Sequence, residues 1–138
     1  KPLKWWAARL DPDPAAGEIV AGAFIADSLV GIAGISFEPR EKARHKATVF
    51  GMYVDQAARG TGAGRRLLNE LLDLARQRGN TRILQLTVTQ GNQAAQKLYA
   101  NGGFRQFGVE PFAVRVGDGY VSKVHMWCDL DNTCEPSK

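Results

Sequence analysis

Arg59-Gly60-Thr61-Gly62-Ala63-Gly64 stands between an apolar, strand-like run (Ala47 to Val54) and an amphipathic, helix-like run (Arg65 to Arg78). Three glycines at every second position leave the backbone bare where a helix begins. Helix-opening N–H groups, at the positive end of the macrodipole, attract phosphate oxygens. The chain is therefore expected to place a strand, a phosphate-gripping turn and a helix in succession. A plain tight turn is the alternative, about equally common for such spacing. A dinucleotide fingerprint would need glycine at Arg65 and an acid after Thr87-Val88-Thr89-Gln90. A P-loop would need Gly-Lys-Ser/Thr, which is absent. The pattern that remains is R-x-x-G-x-G.

The surrounding periodicity orders the other elements. Residues 18–26 and 29–37 are apolar runs about a hairpin signal at Asp27-Ser28. Gly31 and Gly34 weaken the second run or mark close backbone approach. Glu38 to Lys46 reads as a polar loop. In the helix, Leu67, Leu68, Leu71, Leu72 and Ala75 share one stripe, and Gly79 suits its C-terminal end. Ile83 to Val88 reads as a strand. Asn92 suits the cap of a second helix, closed by Gly102 or Gly103. Runs at 104–116 and 120–130 flank the turn Gly117-Asp118-Gly119. The order predicts one mixed α/β domain over 1–138, with a flexible tail at 131–138.

Composition narrows the class. Hydrophobic residues make up 44% and charged residues 23%, the balance of a globular domain with a real core. No apolar run approaches the roughly 20 residues of a membrane span, and no secretory pattern opens the chain. A cytoplasmic location is expected. Cys128 and Cys134 have no metal-ligand spacing with either histidine, so no metal site is expected, and free thiols are expected over a disulfide. The net charge is +4. The basic cluster Arg40 to Lys46 reads as a solvated loop rather than a nucleic-acid surface, since no aromatics interleave it. The basic balance also suits an anionic ligand.

Two blocks in order resemble the GNAT superfamily of N-acetyltransferases. The first is Val49-Phe50-Gly51-Met52-Tyr53-Val54 followed by the R-x-x-G-x-G loop and Gly64-Arg65-Arg66-Leu67-Leu68. The second is Asn92-Gln93-Ala94-Ala95-Gln96-Lys97-Leu98-Tyr99 with Gly103-Phe104, matching N-x-x-A-x-x-L-Y…G-F. The resemblance runs from about Gly17 to Leu130. It implies a mixed, mostly antiparallel sheet flanked by helices, with a V-shaped splay between two parallel strands. It implies acetyl-CoA as co-substrate, with no metal. Pantetheine would lie along the edge of Met52, Tyr53 and Val54, as an added strand does. Pyrophosphate would sit on the N–H groups of Arg59, Gly60, Thr61, Gly62, Ala63 and Gly64. Asn92, Ala95 and Tyr99 would complete the coenzyme site.

The activity so implied is acetyl transfer to a primary amine of a small molecule, protein N-terminus or lysine. Transfer from a thioester needs a neutral amine, a polarised carbonyl and a stabilised thiolate. Tyr99 is the general acid that the resemblance implies. Many members of the superfamily carry a glutamate on the central strand, but Ala47 to Tyr53 has no carboxylate. Glu38, His45 and Glu110 are the base candidates, with solvent as the alternative. About 17 residues precede Glu18, so the usual first strand and two helices are short or missing. The end, Gly108-Val109-Glu110-Pro111…Tyr120…Met126, resembles a bacterial subgroup with Y-x-D, but Ser122 replaces the aspartate. The expected partners are an amine acceptor and, as an option, a second copy in a homodimer; membrane and nucleic acid are not expected. The rival readings are a non-catalytic coenzyme A or nucleotide sensor and a nucleic-acid-binding module.

Overall fold

The computed structural model describes residues 17–132 and the backbone of residues 5–9. Seven strands form one sheet: β1 (Trp5–Arg9), β2 (Glu18–Ile25), β3 (Ser28–Phe37), β4 (Lys46–Val54), β5 (Ile83–Thr89), β6 (Arg105–Val116) and β7 (Gly119–Asp129). Their spatial order is β1-β2-β3-β4-β5-β7-β6. Helix α1 (Ala63–Arg78) joins β4 to β5, and α2 (Gln93–Asn101) joins β5 to β6. The expected mixed sheet is present: β4 and β5 are parallel, and every other neighbouring pair is antiparallel.

The parallel pair holds for three register positions, ending at Thr48 opposite Gln85, although β4 runs on to Val54 and β5 to Thr89. Beyond that pair the strands part. The cause is visible in β4. Its pairing with β3 slips between Ile32 and Gly34, so Gly51 and Met52 together face Ala33. Gly51 has φ +64°, a left-handed conformation that glycine adopts without steric cost. The extra residue is a β-bulge, which twists and bends its strand.

The Leu67, Leu68, Leu71, Leu72 and Ala75 stripe of α1 is wholly buried. It packs with Ile35, Val49, Leu84, Leu86 and Met126 into one core. Each buried leucine contributes roughly 1.5–3 kcal/mol. Helix α1 begins at Ala63, two residues before the expected start, and Gly79 ends it with φ +89°. The first hairpin turns at Ala26-Asp27, one residue early; both have positive φ, as a type I′ turn requires. At the closed end of the sheet, Arg82 Nε and Nη2 donate to the Asp129 carboxylate at 3.2 and 3.0 Å.

The expectation of free thiols is corrected at Cys128, which is fully buried and disulfide-bonded. Cys134 and residues 133–138, part of the expected tail, lie outside the described residues. The expected element near Lys4–Leu10 is β1, paired antiparallel with β2. Among the described residues no helix is long and apolar enough to cross a membrane.

Candidate active site

Strand β4, the glycine loop, the start of α1 and the length of α2 line a cleft of about 820 Å³. Met52 and Val54 line it from β4; Gly60, Gly62, Ala63, Gly64 and Arg59 line it from the loop and the start of α1; Asn92 and Ala95 line it from α2. Nine of the expected coenzyme-site residues therefore meet around one cavity. Among the described residues, the edge of β4 toward β5 carries no strand partner beyond Thr48. Its free amide groups can pair with an extended, amide-rich ligand.

The glycine loop turns back on itself to open α1. Gly60 and Gly62 have φ +83° and +91°, which leaves this turn to residues without a β-carbon. The first intrahelical bond runs from Arg66 N to Gly62 O. The N–H groups of Ala63, Gly64 and Arg65 therefore begin the helix without intrahelical acceptors. Ala63 and Gly64 line the cavity at the positive end of the macrodipole, where an anion is stabilised. Gly64 serves packing instead. A β-carbon there would lie 3.2 Å from Leu98 Cδ2, so glycine lets α1 and α2 approach.

The other expected residues occupy different places. Arg59 Nε donates to the Val54 carbonyl at 3.2 Å, which folds the arginine against the end of β4. Thr61 donates its hydroxyl to the Ala58 carbonyl and does not line the cleft. Tyr53 is absent from the lining as well, exposed and opposite Ile32 across the sheet. Asn92 Oδ1 accepts from Ala95 N at 3.2 Å, the expected cap of α2.

Tyr99 is buried, with its ring edge-on to Phe104 at 5.7 Å. The cleft wall at this point is its neighbour Leu98. Burial pushes the Tyr99 phenol up to about 12, so it keeps its proton at any physiological pH.

The base candidates do not converge. Glu38 N donates to Lys46 O, and His45 O accepts from Arg82 N and Ile83 N. Both residues thus sit at the closed end of β4. His45 lies about 23 Å from Met52 along an extended strand rising roughly 3.3 Å per residue. Glu110 lies on β6, where its Oε1 is 2.9 Å from His125 Nε2. Sequence reading missed His125. It also missed Ala58, Arg65, Ala94, Leu98 and Asn101 in the cleft wall. The helical spacing of Asn101, Leu98, Ala94 and the recognised Ala95 was a usable signal for the α2 wall. Among the described residues no three His, Cys, Asp or Glu side chains gather into a metal-binding group.

Fold and cleft together define a mixed α/β domain with a cleft walled by β4, a glycine loop and two helices. The sequence model of the GNAT acetyltransferase family matches residues 2–104, and the chain belongs to that family. It is 40% identical over 104 residues to the N-alpha-acetyltransferase RimI of Mycobacterium tuberculosis, covering 74% of this chain and 63% of that protein. It is 39% identical over 126 residues to an uncharacterized protein of Mycobacterium leprae, covering 86% of this chain. The matched region is only 33% of the M. leprae protein. The chain thus spans between a third and two thirds of these relatives. The crystal structure of a ribosomal-protein-alanine N-acetyltransferase from Brucella melitensis superposes with TM-score 0.74 at 31% identity. That match covers 82% of this chain and 69% of the other.

Proposed function

We propose that the protein transfers the acetyl group of acetyl-CoA to a primary amine, and that the amine is the α-amino group of a polypeptide. The observation that carries the transfer reaction is the cleft. It joins a free strand edge to a helix-opening glycine loop, a match for pantetheine followed by pyrophosphate. Met52 and Val54 would flank the pantetheine, and the N–H groups from Gly62 to Arg65 would receive the pyrophosphate. The names of the M. tuberculosis and B. melitensis relatives support a polypeptide N-terminus over a small amine.

In this reading the amine nitrogen attacks the thioester carbonyl carbon, the C–S bond breaks, and the thiolate needs a proton. Tyr99 is the proposed donor, from its place in the Asn92-to-Tyr99 motif. Its phenol remains protonated, and the T-shaped contact with Phe104 fixes its ring.

Incubation with acetyl-CoA and a set of peptides and small amines, read by mass spectrometry, tests the acceptor class. Acetylation confined to peptide α-amino groups is expected. Acetylation of small amines alone would overturn the polypeptide assignment. Coenzyme binding without any transfer would leave a sensor.

A further inference from the structure

We infer that His125 is the group that takes the proton from the incoming amine, and that Glu110 is the positioning residue that holds its ring. This rests on the acetyl-transfer reading above and supplies the base that the central strand lacks.

The placement follows from sheet register. In β7 the side chains of Val124, Met126 and Cys128 are buried in the core. His125 alternates with them and so faces the opposite side of the sheet, away from both helices. Its register partner on β5 is Thr87, two residues beyond Gln85, where β4 and β5 part. His125 is therefore one strand in from the splay, roughly 5 Å from β5; neither it nor Glu110 lines the coenzyme cleft, so the amine would meet this pair from the opposite face of the sheet. His125 lies at the level of the β4 bulge.

The local chemistry suits a base. Glu110 Oε1 lies 2.9 Å from His125 Nε2. Phe107 sets its ring edge-on to the imidazole at 5.8 Å. With Nε2–H donating to the carboxylate, the Nδ1 lone pair is the acceptor; among the described residues it has no hydrogen-bond partner. The histidine side chain is 35% exposed and the glutamate 52%, so an amine can reach them from solvent. The other charged groups on this side of β6 and β7 are Lys123, paired in register with Glu110, Arg105, opposite Trp127, and Asp129, paired with Arg82. From β5 the same side receives only Gln85, Thr87 and Thr89, none of them charged.

The proton balance is complete. The acceptor arrives as an ammonium ion, drawn by the Glu110 carboxylate. It gives one proton to His125 Nδ1, and the carboxylate stabilises the resulting imidazolium. The neutral nitrogen attacks the thioester carbon. As the tetrahedral adduct collapses the second nitrogen proton passes to water, the C–S bond breaks, Tyr99 gives its proton to the departing thiolate, and water restores the phenol. His125 then releases its proton to water.

The test is the pH profile of kcat/KM for a peptide amine, with acetyl-CoA affinity measured on the same samples by calorimetry. The wild type should rise with pH along one limb to a plateau below the amine's own pKa, as a general base supplies the neutral nitrogen. His125→Gln should lose the plateau and climb about tenfold per pH unit toward the amine's own pKa near 10. At neutral pH it should be about 10²-fold slower, the low end for losing a general base. Glu110→Gln, which keeps a hydrogen-bond acceptor for the ring but removes the charge, should keep the limb and fall between the wild type and His125→Gln in rate. Acetyl-CoA affinity should be unchanged in both variants, which separates a lost base from a lost fold. His125→Asn provides a second variant if glutamine mispacks. An unchanged limb and rate in a folded His125 variant would overturn this assignment and leave acetyl transfer standing. A wild type that turns over no amine would overturn both.

Discussion

Thr48 and Gln85 form the last register pair between β4 and β5, and β4 runs on past it to Met52 and Val54 in the cleft wall. Three residues past Thr48 on β4, Gly51 adopts φ +64° and starts the bulge. Gly51→Val should strain that conformation, since a β-branched residue is a poor fit at positive φ. A loss of roughly 1–3 kcal/mol in denaturant unfolding is expected, together with weaker acetyl-CoA binding. Full stability in the variant would show that β4 parts from β5 for another reason.

Gly62 lines the cleft with nothing within 4 Å of where its β-carbon would lie. Gly62→Glu should therefore fold, at the modest cost of a side chain at φ +91°. Its carboxylate would project toward the helix-opening N–H groups and repel phosphate. Acetyl-CoA affinity should fall by about 10²-fold, the scale of losing a hydrogen bond to a charged group. Unchanged affinity in calorimetry would reduce the glycine loop to a turn.

Tyr99→Phe separates packing from chemistry, because the phenyl ring preserves the contact with Phe104. Turnover should fall by about 10²-fold with little change in coenzyme affinity. A single-turnover rate equal to that of the wild type would remove Tyr99 from the reaction.

The same phenol makes an alkaline prediction. Its folded-state value of about 12 is above the ordinary value of 10.0. Between those two values the unfolded chain ionises while the folded chain keeps its proton. Stability is thus fully present below pH 10 and declines above it, by about 1.4 kcal/mol per unit of pKa shift once the shift is traversed. Melting curves from pH 9 to 11 should show a shallower loss for Tyr99→Phe than for the wild type. Parallel curves would mean that Tyr99 is not buried.

At the acidic end, hydrogen bonding to Arg82 holds the Asp129 carboxyl below its usual value. That contribution is present above the unfolded carboxyl pKa near 4 and is lost as pH falls through the folded value. Asp129→Asn should melt below the wild type at pH 7, with the gap closing toward pH 3. A gap that persists in acid would assign the loss to packing.

How far the sequence reveals this molecule depends on the range of each signal. Strand and helix limits were legible to within one or two residues, because Asn92, Gly79 and the Leu67-to-Ala75 stripe act locally. Most of the loop was legible because it is a contiguous motif, whereas on the α2 wall only Asn92 and Ala95 were named and Ala94, Leu98 and Asn101 were missed. Tyr53 lies between Met52 and Val54, and ordinary strand alternation turns its side chain away from the cleft that its two neighbours line. His125 and Glu110 were not paired in advance. Their meeting depends on the β6–β7 register, which slips between Gln106 and Gly108 and again between Glu110 and Val114. The disulfide state of Cys128 was equally out of reach, because composition carries no spatial information.

The most direct test of the account is a calorimetric titration of the full chain with acetyl-CoA, followed by release of free thiol when a peptide amine is added. Saturable one-to-one binding, with thiol release that depends on the peptide, is the predicted result. No binding, or binding that survives Gly62→Glu unchanged, would contradict the claim that this cleft holds the coenzyme.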